Sequence, residues 1–141
     1  QRSGVVREPK IGFRGISNPT NQRTMIAARV PDYPCGNMIP ILRTERCDEL
    51  LLYGMISVLN SYAYDFIARA RFAGGTGAVA MALSALQETA VPGNAILSVL
   101  CEKSICLSLC NQVFARQWIH ITKSTEVWHK HPWMRLSAAW A

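Results

Sequence analysis

Arg14, Asn18, Thr20, Asn21, Gln22 and Arg23 fall within ten consecutive positions of the stretch GFRGISNPTNQRTMIAARVP, Gly12 to Pro31. These are side chains that read base edges. Asn can form a bidentate pair with adenine and Arg with guanine, while Thr contacts a thymine methyl or a phosphate. The same residue types also build ordinary turns, because Pro fixes φ and Asn tolerates unusual backbone angles. Position decides between the two uses. At the tip of a strand–turn–strand unit, such groups would project far enough to enter a major groove.

Other stretches carry less chemistry. Gly74-Gly75-Thr76-Gly77 lacks the lysine of a phosphate loop and follows a helical pattern rather than a strand, so it reads as a helix stop and turn. Cys101, Cys106 and Cys110 lie on one helical pattern without a CxxC pair, which suits small buried hydrophobes better than zinc ligands. His129-Lys130-His131, with His120 upstream, has no neighbouring acid or thiol to complete a metal site. Asp48-Glu49 is explained by the start of a helix. No Ser/His/Asp or Cys/His grouping has local support, so no catalytic residue, metal or cofactor is expected.

The elements that must position the polar stretch follow from periodicity. Lys10–Ile16 predicts a short half-buried strand, Thr24–Val30 a second, and Asn18–Asn21 the turn between them. A third strand is expected around Met38–Leu42, where Pro40 marks an edge or a bulge. From Asp48, a suitable N-cap, Leu51, Leu52, Met55, Ile56 and Leu59 share a helical face. The stripe continues through Tyr62, Ala63, Phe66, Ile67 and Ala70 to Phe72, with Asn60-Ser61 either bending one helix or capping another. Ala78–Leu86 is open between helix and buried strand, Gln87–Pro92 is an extended exit, and a second long helix is expected from about Asn94 to Trp118, with Asn94 as its cap. The tail carries Trp128, Trp133 and Trp140, and MRLSAAWA reads like the first turns of a helix. The expected fold is α+β: a small, mainly antiparallel sheet from the N-terminal third packed with two long helices. A single domain over residues 1–141 is expected, a fragment truncated at its C-terminal helix.

Composition narrows the partners. Of 141 residues, 50% are hydrophobic and only 17% charged, which excludes a disordered chain. A mean hydropathy of +0.10 with so few charges implies apolar surface covered by another domain or subunit. The net charge of +6 is concentrated early. Arg2, Arg7, Lys10, Arg14, Arg23, Arg29, Arg43 and Arg46 face only Glu8, Asp32 and Glu45, a balance that favours phosphate backbones or anionic surfaces. The apolar windows are interrupted by Asn60, Ser61 and Asp65, or by Glu102, Lys103 and Asn111, so no transmembrane helix and no membrane partner is expected. QRSGVVREPK lacks the apolar centre of a signal peptide, and five cysteines without regular spacing fit a reduced, cytoplasmic protein.

Three phrases, in order, resemble a known region. They are FRGISNPTNQRTMIAARVPDYPCGNMIPIL, LLLYGMISVLNSYAYDFIARARFAGGTG and ALQETAVP. Together they look like the C-terminal target-recognition part of adenine-specific DNA methyltransferases and fused restriction–modification enzymes. Phe13, Arg14, Thr20, Asn21, Arg23, Thr24, Ile26 and Ala27 match the first phrase of that family. Leu51, Leu52, Leu59, Asn60, Ser61, Asp65, Phe66 and Arg69 match the second, and Val91 and Pro92 the third. The match runs from about Lys10 to Pro92, and more weakly from Trp128 to Ala141. Gly77-Ala78-Val79-Ala80 lacks the polar or aromatic group that relatives carry after the glycine turn. The glycine-rich cofactor loop and the Asn/Asp-Pro-Pro-aromatic motif are absent, and Asn18-Pro19-Thr20 is not that motif.

The resemblance implies sequence-specific recognition of double-stranded DNA by a non-catalytic module, serving a methyltransferase or nuclease on the rest of a parent polypeptide in restriction or phage defence. It implies Arg14, Asn18, Thr20, Asn21 and Arg23 at the base-reading surface. Lys10, Arg69 and Arg71 would hold phosphates, which position without specifying. The alternative is a detached, mobile-element-type fragment acting as a structural or oligomerising protein, for instance a homodimer.

Overall fold

A computed structural model describes residues 10–18, 20–31, 33–43, 49–72, 79–80, 86–108 and 115–124. The fold is α+β, as expected. Strands β1 (Lys10–Phe13), β3 (Ala27–Val30) and β4 (Ile41–Arg43) form an antiparallel sheet in the order β3-β1-β4. A second ladder pairs β2 (Ile16–Ser17) with β5 (Val79–Ala80). The helices are α1 (Glu49–Leu59), α2 (Tyr62–Phe72), α3 (Asn94–Ser108) and α4 (Ala115–Ser124).

The central strand is buried along its whole length, not half-buried as its alternation implied. Ile11 and Phe13 point into the core beside their partners Arg29 and Ala27 on β3. On the opposite face lies Gly12, where an added Cβ would run into the Val30 and Ile39 side chains. That face is therefore closed by the flanking strand and loop, and the strand has no solvated side. Pro40 sits just before the edge strand, and the chain still pairs around it: the Phe13 amide donates to the Pro40 carbonyl at 3.1 Å and Gly15 to Met38 at 3.2 Å. An edge strand can hold Pro because its outward N–H has no ladder partner to lose.

The long apolar stripe from residue 49 to 72 is two helices. The Ser61 hydroxyl accepts the Tyr64 amide at 3.1 Å, and the Ser61 carbonyl accepts the Asp65 amide, so Ser61 is the N-cap of α2. α1 is the buried one: Leu52, Tyr53, Ile56, Val58 and Leu59 join Ile11, Phe13, Met25 and Ala27 in the core, with Leu97, Cys101 and Ile105 of α3 on the other side. The α1–α3 approach is close at Gly54, where a Cβ would collide with the Leu97 backbone. α3 begins at Asn94, but the first carbonyl to accept helical amides is that of Gly93. Residues 109–114, which the expected helix to Trp118 would cross, lie outside the described set, and α4 begins at Ala115.

Among the described residues no single helix is long and apolar enough to cross a membrane. α1 and α2 together have the length and composition, but they meet at 66° and α1 is built into the core. The Gly74–Gly77 turn, the Asp48 cap, the Cys110 position, the His129/His131 pair and the tryptophan-rich tail lie outside the described residues.

Candidate functional site

The β2–β3 loop, residues 18 to 26, departs from a simple hairpin tip. Arg14 still pairs across to Ile26, its amide 3.0 Å from that carbonyl, but β2 then diverts to β5. Met25 sinks into the apolar core, but the Asn, Thr, Gln and Arg residues that make up most of this loop have little apolar surface to bury. The junction between α1 and α2 holds it by hydrogen bonds.

Asp65 is the centre of that grip. One carboxylate oxygen accepts the amides of Thr24 and Met25, each at 2.7 Å, and the other accepts Arg69 Nε at 2.9 Å. Arg23 Nε stands 3.8 Å away. Burial pushes the Asp65 carboxyl up. Hydrogen bonds from the Met25 amide, Arg69 and the Thr24 amide outweigh it and hold the group below the ordinary carboxylate range. Arg69 reaches past Asp65 to donate to the Asn21 and Gln22 carbonyls, at 2.7 and 2.6 Å. Asn60 closes the other end: its side-chain amide donates to the Ala27 carbonyl at 2.7 Å and accepts the Ala27 amide at 2.9 Å, extending the β3 edge with a side chain. The Asn60 carbonyl takes a hydrogen bond from the Arg23 guanidinium, which also lies over the Tyr62 ring, 4.7 Å from its centroid.

At the outer end the loop folds on itself. Asn18 Oδ1 accepts the Thr20 amide at 3.1 Å and the Thr20 hydroxyl at 2.9 Å, while the Asn21 amide N–H meets the Asn18 carbonyl at 3.0 Å. The Asn21 side-chain oxygen, in the orientation that suits both ends of the amide, accepts from the Asn18 amide at 3.2 Å and from Arg14 Nη1 at 3.3 Å. Asn18, Thr20 and Gln22 remain exposed; Arg14, Asn21 and Arg23 are half-buried.

The expected residues thus separate into three groups. Asn18 and Thr20 stand outward at the tip. Arg14, Asn21, Arg23 and Arg69 lie at the same loop, and each makes a hydrogen bond within the protein, so their guanidiniums and amides shape the loop from within. Lys10 and Arg71 are elsewhere. Lys10 begins β1 at the end away from the loop, is buried, and gives its ammonium to the Tyr33 carbonyl at 2.6 Å. It does not join the surface on which it was expected. Arg71 pairs with Glu88 at 3.7 Å in solvent, an arrangement of little energetic weight.

The residues that the sequence did not mark for a role are Asp65, Asn60 and Tyr62. A trace of them was present. Asn60 and Asp65 interrupt an otherwise apolar helical stripe, and an interruption that persists in a buried face requires a polar partner. Asp65 and Arg69, four apart, read equally well as an exposed helix pair.

Among the described residues no three metal-ligating side chains converge. His120 is exposed on α4, and Cys101 is a buried thiol donating to the Ser98 carbonyl at 2.8 Å within α3. Comparison with protein-family models, with curated proteins and with solved structures finds no match for this chain.

Proposed function

We propose that the chain is a non-catalytic module that recognises double-stranded DNA through the outer edge of the β2–β3 loop. Its parent protein would supply the chemistry, as a methyltransferase or nuclease of restriction or phage defence. One observation carries this reading: the loop is held rigidly from inside, by Asp65, Arg69 and Asn60, while Asn18, Thr20 and Gln22 stay exposed. A loop that served only to connect two strands needs no such grip. Direct readout does need it, because an amide must arrive at a base edge in a fixed geometry to discriminate. Arg14, Arg23 and Arg69 add a positive field behind the tip, which attracts phosphate without needing direct contact. Base reading then rests on Asn18, Thr20 and Gln22.

Repeated selection from a pool of random duplexes tests the proposal, with binding followed across salt. The wild-type chain is expected to enrich a defined sequence. A variant with Asn18→Ala, Thr20→Ala and Gln22→Ala keeps its circular dichroism and its salt-dependent binding but enriches none. A wild-type chain that shows no salt-dependent binding to the pool sinks the reading.

A second reading has its own observation. On α3, Ile96, Val99 and Leu107 share an outward face with Lys103 and are 56%, 72% and 81% exposed. Such a stripe suits a chain that oligomerises rather than binds DNA. Light scattering separates the two: a stable dimer indifferent to DNA, made monomeric by Leu107→Lys, supports the second.

A further inference from the structure

The outward face of α2 is apolar in the wrong direction for a surface helix. Tyr64, Asp65 and Ala68 point inward, and on the other side Tyr62 and Phe66 are 79% and 73% exposed. They lie one turn apart, a spacing that brings side chains on a helix side by side. Ala63, Ile67 and Ala70 continue the exposed face, with Arg69 and Arg71 along its two margins. Arg23 is stacked on the Tyr62 ring, joining this face directly to the β2–β3 loop. Among the described residues around it, the guanidiniums of Arg14, Arg23, Arg69 and Arg71 outnumber the carboxylates of Asp65 and Glu88.

We propose that this face is a stacking surface for unpaired nucleobases, adjoining the duplex that the loop contacts; the inference rests on the nucleic-acid reading above. Two exposed rings with a guanidinium on one of them, bordered by further cations, match what a single strand presents: aromatic faces on a polyanionic backbone. A second copy of the chain is the poorer occupant, because a two-fold contact would set the same excess of guanidiniums against itself. Base edges are not read here. Rings accept any base by its π-face, so this surface contributes affinity for unpaired strand and leaves sequence choice to the loop.

The test compares a fluorescein-labelled duplex with the same duplex carrying a short unpaired bulge, by anisotropy, using the whole chain. The bulged duplex is expected to bind roughly ten-fold tighter, in line with one stacked base. That preference should vanish in Phe66→Ala and in Tyr62→Ala with Phe66→Ala and survive in Phe66→Trp, and Phe66→Ala, which touches nothing in the loop clamp, should leave the affinity for the paired duplex unchanged. Both positions are solvent-exposed, so unaltered circular dichroism is expected throughout. If the paired duplex binds but the bulge gives no advantage, or the double alanine variant keeps it, the stacking surface is overturned while the loop reading stands. If neither duplex binds at low salt, both fall together. A dimer in light scattering that the double variant converts to monomer assigns the face to a copy–copy contact and overturns the proposal.

Discussion

Two regions of this protein fix their geometry by opposite means. Between α1 and α3 the contact is apolar and close: Gly54 lets the Leu97 backbone approach, and Leu52, Ile56, Leu97, Cys101 and Ile105 fill the space around it. Between α2 and the β2–β3 loop the contact is polar: the Asp65 carboxylate, the Arg69 guanidinium and the Asn60 carboxamide hold backbone groups of the loop and of β3, and Arg23 reaches back from the loop to the Asn60 carbonyl. Apolar packing tolerates any residue of the right volume and leaves little to read from outside. Hydrogen bonds to named backbone atoms dictate one loop conformation, and at its exposed tip Asn18 Oδ1 also braces the turn by accepting from Thr20. The first region is a scaffold and the second presents a surface.

The sharpest way to break the apolar half is Gly54→Leu. With backbone where the side chain must go, α1 and α3 separate, and urea denaturation is expected to show no cooperative transition at all. Gly54→Ala gains helix propensity but still meets Leu97, and should cost about 1–3 kcal/mol as overpacking. A stable Gly54→Leu variant would mean that the helices do not depend on this approach.

The polar half breaks at Asp65. Asp65→Ala leaves the buried Thr24 and Met25 amides without an acceptor and two guanidiniums without their carboxylate. A loss of about 3 kcal/mol in denaturant unfolding is expected. Asp65→Asn should lose less, since an amide oxygen still serves the two backbone donors. The same residue predicts acid sensitivity with a definite sign. Its carboxyl is held below its unfolded value, so the stabilisation is full above the ordinary carboxylate pKa of about 3.9 and disappears as pH falls through the lower, folded value. Unfolding followed from neutral pH downward should show that loss in the wild type, and a shallower one in Asp65→Asn.

The smallest effect sharpens the contrast rather than breaking it. Arg71→Ala, which removes an exposed pair with Glu88, should change stability by no more than about 0.5 kcal/mol. Arg69→Ala, on the same helix two residues earlier, should cost clearly more, because it releases Asn21, Gln22 and Asp65 together. Equal effects at the two arginines, measured by thermal unfolding, would remove the distinction between clamp and surface.

Much of the scaffold was legible without coordinates. The alternating and β-branched runs at Lys10–Ile16 and Thr24–Val30 do contribute paired strands, Pro40 directly precedes an edge strand, and the stripe from Leu51 to Leu59 belongs to a buried helix face. These follow from local periodicity, which burial only has to obey. What periodicity misplaced depends on distant partners: β1 is closed on both faces by Val30 and Ile39, and β2 leaves the hairpin for a strand more than sixty positions later.

For the candidate site the division is sharper. Residue types and their order alone determined that a polar, arginine-bearing segment links two strands, that the chain is basic toward its start, and that Asn60-Ser61 interrupts a helical stripe. Which of those arginines face outward was decided only by tertiary structure. Asp65, forty-odd residues from the loop, draws Arg23 and Arg69 inward, and Asn60 pins Ala27. The reason is electrostatic and long-range in sequence: a buried carboxylate must gather donors wherever the fold brings them. No window along the chain contains both the charge and the backbone amides that satisfy it.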